Sequence, residues 1–279
     1  LARVAEAAHL ARAEGLPAPW YVIGSEVPIP GGAHAALTSE HAEGGAVTTV
    51  ESVRQTLDAT RAAFRRQGVE DAWARVVAVV VQPGVEFGDD FVLDYQPEKA
   101  RELALFIEGT GLVYEAHSTD YQTRAALKHL VRDHFALLKV GPALTFAFRE
   151  AVFALAMMEG EMFPRAARSN LSEVLDAVMV RHPEHWRKYY HGTAEEQAFK
   201  RKFSLSDRAR YYWGEAAVQA ALARLLMNLR GPLPLALLSQ FAPVQGEKVR
   251  AGVLQNTPEN LILDRVGAVL QDYFEATTP

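Results

Sequence analysis

Short apolar runs alternate with amphipathic stretches between about residue 20 and residue 158. Four of these runs are bounded by Gly, Pro or polar residues and predict strands. The clearest run contains Val76, Val77, Val79, Val80 and Val81, so it is apolar on both faces. Such a run is typical of a parallel strand buried between helices or inside a barrel. We predict the four strands over residues 20–27, 75–82, 112–117 and 136–140.

Each predicted strand is followed by a helical pattern with its apolar residues on one face. Thr48 and Glu51 have the spacing of a capping box and mark the start of the first helix. Pro97 suits the first position of the second helix, and Thr119 or Asp120 caps the third. The predicted helices cover residues 48–67, 97–109, a segment from 119 or 120 onward, and 141–159.

The strand signals stop after Pro164, and helical signals take over. Four consecutive strand–helix units predict a parallel α/β sheet. Its first and fourth strands would leave open edges, which a closed (β/α)8 barrel of the TIM type removes. We therefore expect residues 1–163 to be the C-terminal four units of such a barrel, with the other strands N-terminal to Leu1 or in another chain. Residues 164–279 are expected to be all-helical, with helices over 169–181, 183–190, 206–213, 215–230 and 258–274.

The composition of the chain excludes several classes of protein. Its 279 residues include 29 basic and 34 acidic side chains, and the net charge of −5 argues against general binding to nucleic acid or to anionic membranes. Cysteine is absent, which excludes disulfides, cysteine–zinc sites and thiol nucleophiles. The sequence shows neither a membrane-spanning run nor a signal peptide. We expect a cytoplasmic protein, and assembly into a homo-oligomer is compatible with the sequence.

Polar residues follow each predicted strand, which is where parallel α/β proteins place their sites. Glu115 and His117 are two residues apart, so both project from one face of the third strand. Glu26, near the end of the first strand, is positioned to join them. Such a set suits a divalent-metal site or acid–base chemistry. The alternative is a structural carboxylate beside a buried histidine, and the residues alone leave both interpretations open.

Two further candidates suit anions. Lys139 ends the fourth strand and is a candidate for anion binding, for stabilising an enolate or for forming a Schiff base. Its alternative is a salt bridge to Glu26 or Glu115. Gly141 begins a helix whose N–H groups suit a phosphate, although Pro142 removes one donor.

Three more residues are candidate substrate contacts. Gln82 ends the second strand and suits a sugar hydroxyl, or it satisfies a turn. Ser118 lies in the same polar segment as His117. Arg208 lies near one face of a predicted helix with Tyr211 and Tyr212, which indicates an anion-binding surface, a subunit-docking surface or a packed aromatic helix.

Five segments together resemble the Z-type subunit family of class II D-tagatose-1,6-bisphosphate aldolase. Residues 21–28 read Tyr-Val-Ile-Gly-Ser-Glu-Val-Pro, and residues 114–122 read Tyr-Glu-Ala-His-Ser-Thr-Asp-Tyr-Gln; segments 81–87, 138–146 and 204–213 also match. The resemblance runs in order over nearly the whole chain. Where the family continues Tyr-Tyr-Trp-Pro, this chain has Gly214. Nothing here corresponds to the family's N-terminal portion, which holds four barrel strands and an Asp-His-Leu-Gly-Pro segment.

The resemblance implies a barrel related to the class II ketose-bisphosphate aldolases, which use a divalent metal, expected here to be zinc. The first hypothesis is an accessory subunit that supports the catalytic Y-type subunit in galactitol or N-acetylgalactosamine-type catabolism. The second is a metal-dependent ketohexose-phosphate 4-epimerase or aldolase. In that case Glu26 and His117 would be metal ligands, Glu115 an acid–base group and Lys139 an electrostatic stabiliser of the bound sugar phosphate. A sugar-phosphate kinase name also attaches to such proteins, but the sequence has no Walker or kinase Gly-rich loop.

Overall fold

The computed structural model describes residues 2–24 and 47–278, and the chain divides into two compact units. The first unit comprises residues 1–87, 92–140 and 273–279, and the second comprises residues 88–91 and 141–272. The predicted division after residue 163 differs from this one at three places, one of which is the short segment 88–91 in the second unit. The long helix that begins at Pro142 belongs to the second unit, and the end of the last helix, from Tyr273, belongs to the first.

The first unit is an α/β fold around a parallel sheet, as the alternating pattern predicts. Its elements are α1 (Ala2–Ala13), β1 (Tyr21–Ile23), α2 (Val50–Arg66), β2 (Val76–Val81), β3 (Glu86–Phe87), β4 (Val92–Leu93), α3 (Pro97–Ile107), β5 (Val113–Ala116), α4 (Arg124–Arg132) and β6 (Leu137–Leu138). In the described part of the chain the parallel strands have the order β1-β2-β5-β6, and β3 pairs with β4 as a separate antiparallel hairpin. The hairpin was not predicted, because strands of two residues are too short to show an alternating pattern.

The strands are aligned at their carboxyl ends. The last residues of β2 and β5 are paired with each other, and so are those of β5 and β6. The parallel register therefore brings the next residues, Gln82, His117 and Lys139, to the same edge of the sheet. Gly24 follows β1 with φ of 150°, and a Cβ atom there would lie only 2.8 Å from the Cβ of Val80, so this close approach requires glycine.

Two helix starts differ from the predicted ones. Thr49, rather than Thr48, caps α2, because its Oγ1 accepts a hydrogen bond from the Ser52 N–H at 3.1 Å. Thr48 instead accepts from the Gln82 N–H at 2.8 Å and ties the start of α2 to the end of β2. The predicted caps at Thr119 and Asp120 are wrong because residues 118–122 form a buried loop, and Thr123 caps α4.

The core of the first unit lies between the sheet and helices α2, α3 and α4. Tyr114 and Phe135 are fully buried there, and their ring centroids are 5.1 Å apart. The Tyr114 hydroxyl donates to the Leu103 carbonyl at 2.9 Å, so its one polar atom is satisfied. This packing fixes β5, the strand from which the central candidate residues extend.

The second unit is helical throughout its described residues, as predicted. It contains α5 (Pro142–Met162), α6 (Leu171–Arg181), α7 (Ala194–Phe203), α8 (Ala216–Asn228), α9 (Leu235–Phe241), α10 (Pro243–Arg250) and most of α11 (Pro258–Thr277). Helices α7, α9 and α10 were not predicted. Within the described ranges, no helix combines the length and apolar composition that crossing a membrane requires.

Two predicted α-helices of this unit are short 3-10 turns instead. Residues 183–190 contain only the turn Pro183–His185, and residues 206–213 contain only the turn Arg208–Tyr211. The second turn begins after Asp207, whose φ of 43° lies in the left-handed region. A right-handed helix cannot pass through such a residue, so the predicted continuous helix is wrong.

Candidate functional site

Glu115 and His117 meet at the end of β5. The Oε1 atom of Glu115 lies 2.7 Å from Nε2 of His117, and their side chains are 20% and 4% exposed. A carboxylate in this position fixes the tautomer and the orientation of the imidazole. The structure therefore brings together the two side chains that the sequence spacing singles out. Their roles in acid–base or metal chemistry stay predictions, because the same contact serves a structural pair.

The loop after β5 combines burial with a strained backbone. Ser118 and Tyr121 have φ values of 56° and 63°, in the left-handed region that costs non-glycine residues about 1–2 kcal/mol. Thr119 donates from Oγ1 to the Lys139 carbonyl at 2.8 Å, and the Tyr273 hydroxyl donates to the Thr119 carbonyl at 2.7 Å. These bonds hold the strained conformation, and strain of this kind clusters at functional sites.

We call the carboxyl edge the set of Gln82, Glu86, residues 115–122 and Lys139, all in the first unit. Two of its buried polar atoms, Gln82 Nε2 and Ser118 Oγ, have no hydrogen-bond partner in the part of the chain that the structure describes. Leaving such an atom unsatisfied costs about 1–3 kcal/mol. Amide and hydroxyl groups suit the hydroxyl groups of a sugar, so both atoms are available to the kind of ligand that the sequence predicts for them.

Glu86 is a candidate that sequence analysis missed. Burial raises the pKa of its carboxyl group above the usual 4.5, and the nearby Asp120 raises it further. The Phe87 N–H, which donates to Glu86 Oε1 at 2.9 Å, opposes this rise, as does the Ser118 hydroxyl, which lies close but outside hydrogen-bond geometry. A carboxyl group that keeps its proton to higher pH suits a general acid. The sequence offers only a weak signal for it, an acidic residue between the apolar Val85 and Phe87, because the two-residue strand β3 shows no periodicity.

Lys139 is exposed, but its backbone is fixed. Its N–H donates to the Ala116 carbonyl at 3.0 Å, which extends the ladder between β5 and β6 by one residue. Among residues 2–24 and 47–278 its ammonium group forms no ion pair, and Glu115 contacts His117 instead. The alternative of a salt bridge to Glu115 is therefore wrong, and Glu26 lies outside the described residues.

The described residues do not by themselves complete a metal site. In that part of the chain, no three side chains of His, Asp or Glu are close enough to hold a metal ion. Nε2 of His117 is already in contact with Glu115. A zinc ion takes three or four protein ligands, so a metal at the carboxyl edge would need further ligands from outside the described residues. Glu26, the second predicted ligand, is such a residue.

Gly141 belongs to the second unit, where it precedes α5. Its carbonyl accepts from the Leu144 N–H at 3.0 Å, and Pro142 occupies the first helical position. The backbone thus forms an ordinary first helical turn, and a phosphate contact at Gly141 stays a prediction.

Arg208 also belongs to the second unit and is 2% exposed. Its Cζ atom lies 3.2 Å from the ring centroid of Tyr189, in a cation–π contact. Tyr212 is buried whereas Tyr211 is exposed. An exposed surface made of all three side chains is therefore wrong. Burial of Arg208 and Tyr212 agrees with the packed alternative, although the segment is a 3-10 turn instead of an α-helix, and a substrate contact at Arg208 stays a prediction.

The chain is similar to known proteins over nearly its whole length. Residues 1–278 match the model of the GatZ/KbaZ-like family, described as D-tagatose-1,6-bisphosphate aldolase subunit GatZ/KbaZ-like. The D-tagatose-1,6-bisphosphate aldolase subunits GatZ of Salmonella enteritidis PT4 and Salmonella gallinarum are each 50% identical over 260 residues. These residues are 93% of this chain but 60% of either relative, so the chain spans less than two thirds of the curated relatives that it matches.

A solved structure is similar over almost the same range. The crystal structure of a probable tagatose 6 phosphate kinase from Sinorhizobium meliloti 1021 superposes with a TM-score of 0.85 and 45% sequence identity. The match covers 98% of this chain and 67% of that one. Since the family model matches nearly every residue, the chain belongs to the GatZ/KbaZ-like family of D-tagatose-1,6-bisphosphate aldolase subunits.

Proposed function

We propose that this chain is part of an accessory subunit of D-tagatose-1,6-bisphosphate aldolase. The observation that carries the proposal is the 50% identity, over 260 residues, to proteins that bear this name. The accessory subunit would support the activity and stability of a catalytic Y-type subunit. The substrate of the complex would be a ketohexose bisphosphate, and the catalytic subunit would cleave it.

We also propose that the parallel sheet is half of an eight-stranded (β/α) barrel. The support is the order β1-β2-β5-β6, in which the described residues leave β1 and β6 at the edges. Open edges of apolar parallel strands favour further pairing, and barrel closure supplies it. In a closed barrel the carboxyl edge would become part of the rim where such folds place their ligand sites.

The accessory role is tested with the full chain and a Y-type aldolase subunit, each purified and then mixed. We expect the chain alone to leave tagatose 1,6-bisphosphate uncleaved. We expect the mixture to cleave it faster than the Y-type subunit alone, and to inactivate more slowly on warming. An equal mass of serum albumin replaces the chain in the control. Equal rates and equal half-lives with and without the chain would overturn the proposal.

The second candidate is a ketohexose-phosphate 4-epimerase or aldolase, and the carboxyl edge favours it. A protein with only a scaffolding role does not require a contact between Glu115 and the buried His117, a Glu86 carboxyl group with a raised pKa and a Ser118 hydroxyl without a partner in the described residues, all at one place. In this candidate Ser118 and Gln82 bind sugar hydroxyls, and Glu115 orients His117 for proton transfer. A divalent metal such as zinc would polarise the ketose carbonyl, with Glu26 and His117 among its ligands.

The two candidates are separated by assaying the full chain alone on fructose 6-phosphate, with and without added zinc. Turnover that is lost in His117→Gln and retained in His134→Gln would establish the enzyme. His134 is the matched control because its Nε2 also contacts a carboxylate, Glu108, at 3.1 Å, away from the carboxyl edge. No turnover alone, combined with unchanged support of the Y-type subunit by His117→Gln, would establish the accessory role.

A further inference from the structure

The second unit contains a buried arginine, Arg208, with two guanidinium nitrogens that lack acceptors among the described residues. The Arg208 side chain is almost fully buried, and its Nε and Nη2 atoms have no hydrogen-bond partner among residues 2–24 and 47–278. Its remaining nitrogen, Nη1, reaches the His185 carbonyl only at 3.4 Å. A guanidinium group keeps its charge in proteins, so burial without partners is costly for this side chain.

The two unpartnered nitrogens, Nε and Nη2, lie along one edge of the planar guanidinium group. The Nε–H bond and one Nη2–H bond point in the same direction and form a fork. This fork matches two oxygen atoms of a carboxylate or a phosphate, which it binds through parallel charge-assisted hydrogen bonds. The empty donors of Arg208 are therefore the pair that recognises an oxyanion.

Acidic groups of the second unit do not serve this fork. The Asp207 carboxylate faces Arg149, with 2.9 Å between Oδ1 and Nε, and accepts a hydrogen bond from the Thr145 hydroxyl. Burial lowers the pKa of Arg208, as expected for a cation without a carboxylate beside it. Within the described residues, the largest electrostatic influences on Arg208 come from Tyr189, Arg210, Tyr211 and Tyr190, and none of these is a carboxylate.

The local charge balance favours a dianion over a monoanion. Three guanidinium groups, those of Arg149, Arg208 and Arg210, stand against the single carboxylate of Asp207, which leaves a surplus of two positive charges. The Arg210 guanidinium donates to the carbonyls of Ser206 and Asp207, so it has no carboxylate partner of its own. A phosphate monoester carries about −1.5 to −2 charges at neutral pH and would balance this surplus.

The Tyr189 ring packs against Arg208, and two exposed aromatic residues lie nearby. The Tyr189 ring lies against the guanidinium group at 3.2 Å and holds its plane. The Arg208 N–H donates to the Tyr190 hydroxyl at 3.1 Å, which fixes the backbone. His185 and Tyr211 are both exposed, and their rings stack 4.8 Å apart. Two exposed residues therefore lie close to Arg208: the His185 carbonyl is 3.4 Å from Nη1, and Tyr211 acts on the charge of the guanidinium group.

We propose that the second unit holds a phosphate-class oxyanion on the Nε and Nη2 edge of Arg208. The ligand is either inorganic phosphate or the phosphoryl group of a phosphate ester. The proposal rests on contacts within the second unit and does not depend on the aldolase role or on the carboxyl edge.

The test is isothermal titration of the full chain with inorganic phosphate, at an ionic strength held constant with KCl. We expect saturable binding to one site. Arg208→Lys keeps the charge but removes the fork, and we expect it to weaken binding at least tenfold. Arg224→Gln is the matched control, because this exposed arginine of the same unit donates only to the carbonyls of Ala166 and Ala167. We expect its phosphate affinity to stay within about twofold of the wild type, since no phosphate contact is lost.

Further titrations identify the source of the oxyanion and guard against misfolding. Fructose 6-phosphate that binds more tightly than phosphate, and loses this binding in Arg208→Lys, indicates an ester site, whereas equal affinities indicate free phosphate. Acetate that binds more tightly than phosphate would overturn the phosphate class. The wild-type titration needs no variant to fold: an absence of saturable phosphate binding overturns the proposal, and so does unchanged affinity in a folded Arg208→Lys protein.

Discussion

The carboxyl edge of the first unit and the Arg208 segment of the second both bury polar atoms that lack partners, but the atoms differ in charge. At the edge they are a neutral hydroxyl and a neutral amide, beside a Glu86 carboxyl group with a raised pKa. In the second unit most of them belong to the guanidinium groups of Arg149 and Arg208, and the others are Asp207 Oδ1 and Trp213 Nε1. An unsatisfied neutral group costs about 1–3 kcal/mol, and a charged one costs more. The edge can therefore remain empty at modest cost, whereas the burial of Arg208 favours a counter-ion, in line with the oxyanion that we propose there.

The largest effect is expected where the charged network is broken. Asp207→Asn keeps the shape of the side chain and tolerates the left-handed backbone, but it leaves Arg149 buried without a carboxylate. Removing one partner of a buried pair costs about 3–5 kcal/mol, so we expect the free energy of unfolding in urea to fall by that amount. Glu70→Gln, in the exposed Arg65–Glu70 pair, is the control and should change it by less than about 1 kcal/mol. Equal effects would contradict the charge argument.

A smaller effect of opposite sign is expected at the edge. Ser118→Gly removes a non-glycine residue from φ of 56° and also removes a buried hydroxyl group without a partner. Glycine also increases the conformational entropy of the unfolded chain, which offsets part of the stabilisation. We expect the protein to gain about 1 kcal/mol in the free energy of unfolding. Any activity or ligand binding at the edge should fall, and a loss of stability would show that the Ser118 hydroxyl has a structural role.

The pH dependence of stability separates the two regions further. Because the native pKa of Glu86 is raised, the native state holds this proton more tightly than the unfolded state. The contribution of Glu86 is therefore present below the usual value of 4.5 and is lost as pH rises through the native pKa. Glutamine does not titrate, so Glu86→Gln should remove the decrease in stability that Glu86 causes as pH rises. We expect its urea-derived stability to exceed that of the wild type increasingly above pH 4.5, and parallel curves would refute the assignment.

The smallest change in stability is expected at Lys139. The side chain is exposed, and only its backbone is held, through the Ala116 carbonyl and the Thr119 hydroxyl. Lys139→Gln should leave the free energy of unfolding within about 0.5 kcal/mol of the wild type. If Lys139 stabilises an anionic intermediate, the same variant should lower kcat while thermal stability is preserved. A large loss of stability would mean that the side chain carries a contact that the wild type needs for folding.

The sequence predicts best those parts of the fold in which apolar residues recur at regular spacing over several turns or strand residues. The valine run of β2, the βα alternation and the helical second half follow directly from side-chain patterning. The Glu115–His117 contact follows from a spacing of two along one strand. Short elements escaped prediction, including the β3–β4 hairpin and hence Glu86, because two residues carry no period.

Local backbone geometry explains the remaining differences. The segment from Ser204 to Trp213 resembles a helix in composition, but Asp207 adopts φ of 43°, and its carboxylate faces Arg149, which is distant in sequence. A single sequence does not reveal such a pairing. The burial of Arg208 and the strain at Ser118 have the same origin, since tertiary contacts override local preference.

The Tyr273–Thr119 hydrogen bond has a consequence for biosynthesis. Thr119 belongs to the loop after β5, whereas Tyr273 is near the end of α11, and they are 154 positions apart. During translation the sheet can form early, but this loop cannot acquire its clamp until residue 273 leaves the ribosome. The carboxyl edge is thus among the last parts of the chain to mature. A nascent protein arrested before that point would carry the sheet without a finished ligand surface.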